Sequence, residues 1–291
     1  MEHIVTFKCE GENLEQIPES IIQRTGISFP KAHLDQEQMM ILAKELKAYK
    51  GDRFVRVPFC VTVEAEALGG RIKLGDDKNG PRVDQYLFST IEELERIQEI
   101  DLTRGRIKEV LDAVERLNRD NEIVALNVEG PFTIISSLID PMIFYKGIRK
   151  NKERIDKFMK MIEDNIVKYI LAGIARGAKI ISYGDPVGSL DIVGPKVYQE
   201  ISGQTTYNIL KRIEPFLDGR IVHLCGKTST AFDKLGFSET YAIEANEDLT
   251  YGEAILQLMN SNQKIKFIGH ACIKKTPFKM KKAVVWNVCL K

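Results

Sequence analysis

The sequence predicts an α/β fold built on a parallel sheet, of the TIM (β/α)8-barrel type. Three observations carry this. Short β-branched runs alternate with longer amphipathic stretches. Most of the short runs are near-continuously apolar rather than strictly alternating, which suits strands buried on both faces. A length of 291 residues with 44% hydrophobic composition matches one large barrel with a sizeable core better than two full domains.

Taken in order, residues 1–50 form a helical lead-in packed on the barrel, with a helix over "DQEQMMILAKELKAY" (35–49). "FVRVPF" (54–59) is the first strand. "TIEELERIQ" (90–98) opens with Thr90 three residues before Glu93, a capping-box spacing that predicts a helix start. "IVALNVEG" (123–130) is the next strand. The helix over 151–177 keeps Ile155, Phe158, Met159, Ile162, Ile166, Ile170 and Ile174 on one stripe and stops at Gly177, a common capping residue. "KIISYGD" (179–185) is followed by a helix over 194–213 starting at Pro195, favoured in a first turn. "RIVHLC" (220–225), "TYAIE" (240–244), "KIKFIGH" (264–270) and "AVVWNV" (283–288) complete the strands. No linker or repeat interrupts the pattern, so residues 1–291 are expected to form a single α/β-barrel domain, with 1–50 as its N-terminal helical extension.

Composition excludes several classes of function. The 42 basic and 41 acidic residues leave a formal charge of +1, with no basic stripe for nucleic acid. No run reaches the roughly 18–20 apolar residues of a membrane span. "MEHIVTFKCEGEN" does not read as a secretory signal, so a cytoplasmic location is expected. Thiols stay reduced there. Cys9, Cys60, Cys225, Cys272 and Cys289 therefore point to packing, metal or catalysis rather than to a disulfide framework.

The stretch "RIVHLCGKTST" (220–230) carries the chemistry. Residues i and i+2 of a strand share a face, so His223 and Cys225 project together. Two readings stand side by side: a buried strand containing two commonly buried residue types, or half of a zinc site, since zinc takes N and S ligands in tetrahedral geometry. On the second reading Cys272, at the end of another strand, is the best third ligand. His270 is an alternative histidine and Cys289 an alternative thiol. Glu244, ending the strand between them in sequence, would complete the set at the same rim, the C-terminal face where α/β barrels carry their sites. Asp185 in "GDPVGS" (184–189) would sit at that mouth as a substrate-orienting group, or serve as a turn and cap residue. Glu64 and Glu66 follow the first strand and read in the same two ways. Asn127 and Tyr183 are further candidates to line the pocket.

Four segments in order resemble the uroporphyrinogen decarboxylase superfamily: "GDRFVRVPFCVTVEAEALGGRIKLGDDKNGPRV" (51–83), "NVEGPFTIISSLID" (127–140), "LAGIARGAKIISYGDPVGS" (171–189) and "HLCGKTSTAFDKLG" (223–236). The H-x-C-G-x-T motif resembles the cobalamin-dependent branch, the methylcobamide:coenzyme M methyltransferases. The arginine-rich N-terminal motif of the decarboxylases does not precede the first strand. The resemblance implies zinc held by His223, Cys225 and a later cysteine, here Cys272, with Glu244 in the fourth position. In longer members the third cysteine lies farther downstream than the 46 intervening residues here. Either the barrel is abbreviated near its C-terminus or the third ligand has moved.

The activity implied is methyl transfer between a corrinoid and a small substrate, with zinc activating a thiol as acceptor and Asp185 orienting substrate or corrinoid. No D-x-H-x-x-G cobalt-binding motif occurs, so methylcobalamin or a related corrinoid is expected on a separate corrinoid protein. The expected partners are that protein and a small thiol or methylated small molecule, with no nucleic acid and no membrane. The alternatives are demethylation of a small O-, N- or S-methyl compound onto the corrinoid, a decarboxylase-like lyase, and a non-catalytic barrel.

Overall fold

The computed structural model describes residues 7, 9, 15, 17–261 and 264–291. Most of the expected lead-in before residue 17 lies outside the described residues. The strands are β1 (Val55–Val57), β2 (Arg71–Lys73), β3 (Arg82–Gln85), β4 (Val124–Glu129), β5 (Ile180–Gly184), β6 (Ile221–Cys225), β7 (Ser238–Glu244), β8 (Phe267–Ala271) and β9 (Val284–Leu290). The helices are α1 (Glu19–Thr25), α2 (Gln36–Lys50), α3 (Val63–Ala67), α4 (Gly105–Arg119), α5 (Pro131–Ile135), α6 (Pro141–Lys150), α7 (Lys152–Ala175), α8 (Leu190–Val197), α9 (Gly203–Ile213), α10 (Gly226–Leu235) and α11 (Tyr251–Asn260). All seven expected strands are present. The β2–β3 hairpin and helices α3, α4, α5, α6, α10 and α11 have no counterpart among the expected elements.

One seven-stranded sheet runs in the order β1-β4-β5-β6-β8-β9-β7. The first five strands are parallel, as in a TIM-barrel type of fold. β9 is antiparallel to β8, and β7 is antiparallel to β9. β8 therefore takes the place beside β6 that the chain order had suggested for β7. Among the described residues no pairing joins β7 back to β1.

The parallel strands bury both faces. Val124, Ala125 and Leu126 of β4 are fully buried, as are Ile180 and Ile181 of β5. Helix α7 lays its whole predicted stripe, Ile155 to Ile174, into the core. Each such side chain contributes about 1.5–3 kcal/mol of apolar burial. Gly173 brings the α7 backbone close to the sheet, because a Cβ there would overlap Leu126. The helix ends as expected, with Gly177 at φ +100° two residues on. Helix α2 starts at Asp35, whose side chain accepts the Gln38 N–H at 3.0 Å, and buries Met39, Leu42, Ala43 and Leu46 in the same core. The expected helix at 194–213 is continuous in trace but carries a π-helical turn over Tyr198–Ser202.

Residues 90–98 depart from expectation. They form only a 3-10 turn over Glu92–Arg96, and the Glu93 carboxylate accepts the N–H of Ser89, at 2.7 Å. The reciprocal capping box belongs instead to α11, between Thr250 and Glu253.

Candidate functional site at the strand ends

A cavity of about 450 Å³ opens at the C-terminal ends of the five parallel strands. Pro58, Phe59 and Cys60 after β1 line it, with Asn127 and Glu129 of β4, Ser182 and Tyr183 of β5, His223 and Cys225 of β6, and Cys272 just past β8. Strand direction explains the convergence, since side chains at the ends of parallel neighbours share one rim.

His223 and Cys225 occupy the face that their spacing predicts. Cys225 lies opposite Ala271 in the β6–β8 register, so Cys272 follows at the same level on the adjacent strand. His223 is 1% exposed, and its Nε2 has no hydrogen-bond partner. Burial, assisted by the nearby Arg56 charge, lowers its pKa to about 4. At neutral pH it is therefore a neutral imidazole, the form that binds metals. Cys225 is the residue preceding α10; its side chain makes no cap hydrogen bond, but the nearby backbone N–H groups of Lys227 and Thr228 favour the anionic form of its sulfur. Burial nevertheless pushes its thiol up to about 11, and the thiols of Cys272 and Cys9 push the same way.

These donor types fit a zinc site of the open kind, because a buried imidazole nitrogen without a partner and two thiols face one cavity. The donors surround the cavity without converging. Among the described residues, no three His, Cys, Asp or Glu side chains lie close enough together to hold a metal.

The structure does not bring the other predicted residues there. Glu244 ends β7, the edge strand, and is exposed opposite Val284 of β9. It stands three strand positions from β6, about 14 Å across the sheet at roughly 4.8 Å per spacing. Insertion of β9 displaced it from the rim. Cys289 lies on antiparallel β9 opposite Glu239, at the far end of the sheet from the cavity. His270 is satisfied elsewhere, with Nε2 2.9 Å from Asp233 and Nδ1 3.2 Å from Thr230.

Asp185 lies behind the cavity wall, 3% exposed. One carboxylate oxygen accepts the Phe132 N–H at 3.1 Å. The other accepts the Thr133 N–H at 2.8 Å, the Thr133 hydroxyl at 2.7 Å and the Gly188 N–H at 3.2 Å. It thus caps the short helix α5, in the turn-and-cap role. Gly130 and Gly188 make room for it, since a Cβ at either would overlap its side chain.

Asn127 and Tyr183 do line the cavity, although Asn127 donates to the Pro58 carbonyl at 2.8 Å and the Tyr183 hydroxyl meets Thr206 at 3.1 Å. Glu64 is not a rim charge. It is 1% exposed, and its carboxyl accepts the Glu129 N–H at 2.9 Å. Burial raises its pKa to about 7. Glu66 instead pairs with buried Arg106 at 2.5 Å.

Two lining residues escape the sequence reading. Glu129 closes the strand "IVALNVEG", and burial together with the Glu64 and Asp185 charges holds its carboxyl well above the ordinary range. The shift favours its protonated form, which can donate a hydrogen bond to a ligand. Its place at the C-terminal end of a predicted strand was the available signal. Arg56 is the one charge in the apolar run "VRV", and its guanidinium has loose partners, Asp52 at 3.7 Å, Glu15 at 4.0 Å and the Ile273 carbonyl at 3.4 Å.

The profile of the uroporphyrinogen decarboxylase (URO-D) family matches residues 14–274 of the chain. The chain belongs to this family. Within it, the chain is 28% identical over 222 residues to the methylcobamide:CoM methyltransferase MtbA of Methanosarcina acetivorans, covering 74% of this chain and 65% of that protein. It is 27% identical over 237 residues to the methylcobamide:CoM methyltransferase MtaA of Methanosarcina barkeri, covering 76% and 68%. The chain thus spans about two thirds of the length of such relatives. A solved methyltransferase from Methanosarcina mazei superposes with a TM-score of 0.64 at 25% identity, covering 74% of this chain and 63% of that one. The family's mostly parallel α/β architecture agrees with the sheet described above. No helix among the described residues is long and apolar enough to cross a membrane.

Proposed function

We propose that this chain is a methyltransferase that moves a methyl group between a corrinoid, carried by a separate protein, and a small thiol, with zinc held by His223, Cys225 and Cys272. The observation that carries the reading is the buried, unpartnered Nε2 of His223 on the same cavity as two thiols. The similarity to methylcobamide:CoM methyltransferases supports it.

When bound, zinc would keep a thiol deprotonated at neutral pH, reversing the effect of burial. The chain's own residues do the rest. β6 and β8 hold the three donors at adjacent strand ends. His223 is neutral and offers its nitrogen without first losing a proton. The Lys227 and Thr228 N–H groups favour the anionic form of Cys225. Glu129 lines the same cavity with a carboxyl that burial biases toward its protonated, donating form, and the cavity mouth at the strand ends is the face where a corrinoid protein would dock.

The test is the zinc content of purified protein beside Cys225→Ser and Cys272→Ser, together with methyl transfer from methylcobalamin to a small thiol. About one zinc per chain is expected, lost or weakened in both variants, with transfer falling in parallel. A wild-type protein that takes up no zinc on reconstitution would refute the site. One that binds zinc but transfers no methyl group would refute the activity.

A further inference from the structure

Three neighbouring strands end level with one another on the cavity. In the β4–β5 register Glu129 lies beside Gly184. One step beyond the last β5–β6 pair, Tyr183 with Leu224, Gly184 comes level with Cys225. Neighbours in register share one face of a parallel sheet, and all three residues line the cavity. Glu129 and Cys225 are thus two strand spacings apart, about 10 Å between backbones at roughly 4.8 Å each. The residue between them has no side chain. A Cβ on Gly184 would stand 3.4 Å from the Cys225 Cβ, inside that gap. A small molecule seated over Gly184 would have the Cys225 sulfur on one flank and the Glu129 carboxyl on the other.

We propose that Glu129 is a further catalytic residue, the base that takes the proton of a substrate thiol lying over Gly184. This rests on the methyl transfer to a thiol proposed above. The thiol S–H bond breaks and its electron pair stays on sulfur. An O–H bond forms on the ionised Glu129 carboxylate, which later gives the proton to solvent. No oxidation or reduction accompanies this step. The sulfur is left as the anion that nucleophilic attack on a methyl group requires. An ordinary exposed carboxylate holds a proton too weakly for this task, and a base works best when its pKa lies near the operating pH. Two acids facing Glu129 strengthen its hold: Glu64 from α3, whose carboxyl accepts the Glu129 N–H, and Asp185 from the turn after β5. Tyr183 of β5 and Cys60 after β1 border the same cavity. Of its cations, Arg56 is level with Ala125, four residues before Glu129, and Lys227 and Lys274 follow Cys225 and Cys272.

The test titrates the zinc-loaded full chain with 2-mercaptoethanol in a calorimeter, in two buffers of different ionisation enthalpy, which counts the protons released per thiol bound. Glu129→Gln should release about one, and the wild type fewer, because Glu129 keeps part of them. Infrared difference spectra should show a protonated-carboxyl band gained on thiol addition in the wild type and missing in Glu129→Gln. In methyl transfer from methylcobalamin to the same thiol, Glu129→Gln should lower kcat about a hundredfold at unchanged zinc content and remove one ionisation from the pH profile. Glu64→Gln touches no substrate but removes a charge that raises Glu129, so it should move that ionisation to lower pH. Equal proton release by the wild type and Glu129→Gln, with thiol bound to both, would overturn the proposal and leave the zinc reading standing. A wild-type protein that binds zinc but no thiol would overturn both.

Discussion

Replacing Glu64 by glutamine tests the electrostatics beneath the cavity. Glu64 is fully enclosed, and burial moves its carboxyl from 4.5 to about 7. A carboxyl whose folded-state pKa is raised contributes stability that is fully present below its unfolded value. That stability is lost as pH rises through the folded value. The rise corresponds to about 3 kcal/mol above pH 7, of which about 2.5 kcal/mol develops between pH 5 and pH 8. The glutamine side chain has no charge to bury, and its amide oxygen would still accept the Glu129 N–H that Glu64 accepts at 2.9 Å. Glu64→Gln should therefore lie within about 1 kcal/mol of wild type at pH 5 and be more stable by about 3 kcal/mol at pH 8. The Glu64 charge also raises Glu129. Removing it relieves the second carboxyl and acts in the same direction. Urea midpoints measured for both proteins at pH 5, 6, 7 and 8 give the comparison. Parallel stability profiles would show that burial does not raise the Glu64 carboxyl, and the raised carboxyl of Glu129 on the cavity wall would fall with it.

Two further predictions concern residues that the structure moved out of their expected roles. Asp185→Ala should destabilise the protein by about 3 kcal/mol, because three N–H groups and a hydroxyl lose a buried anionic acceptor. Chemical denaturation checks this, and a loss of methyl transfer without loss of stability would return Asp185 to a direct role in catalysis. Glu244→Gln should leave metal content and methyl transfer unchanged, since its side chain is exposed on the edge strand. Reduced metal content in that variant would mean that β7 reaches the cavity after all.

Local pattern determined much of this protein. The parallel strands could be read because both faces of the sheet are covered, which forces the runs around 124–128, 180–183 and 221–224 to be apolar throughout. Helix α7 could be read because its stripe follows the helical period and ends at a glycine. The shared face of His223 and Cys225 follows from the two-residue repeat of a strand, and the strand-end rule placed Cys272 with them. Tertiary structure decided the rest, because it depends on which distant segments meet. Strand order is set by hydrogen bonds between residues far apart in sequence, and the antiparallel entry of β9 moved Glu244 and Cys289 away from the rim while seating β8 beside β6. The raised carboxyls of Glu64 and Glu129 arise from enclosure, which neither local sequence announces. Asp185 reads in the chain as a loop acid beside a glycine and a proline. Only the approach of Thr133 from another strand-to-helix turn makes it a cap.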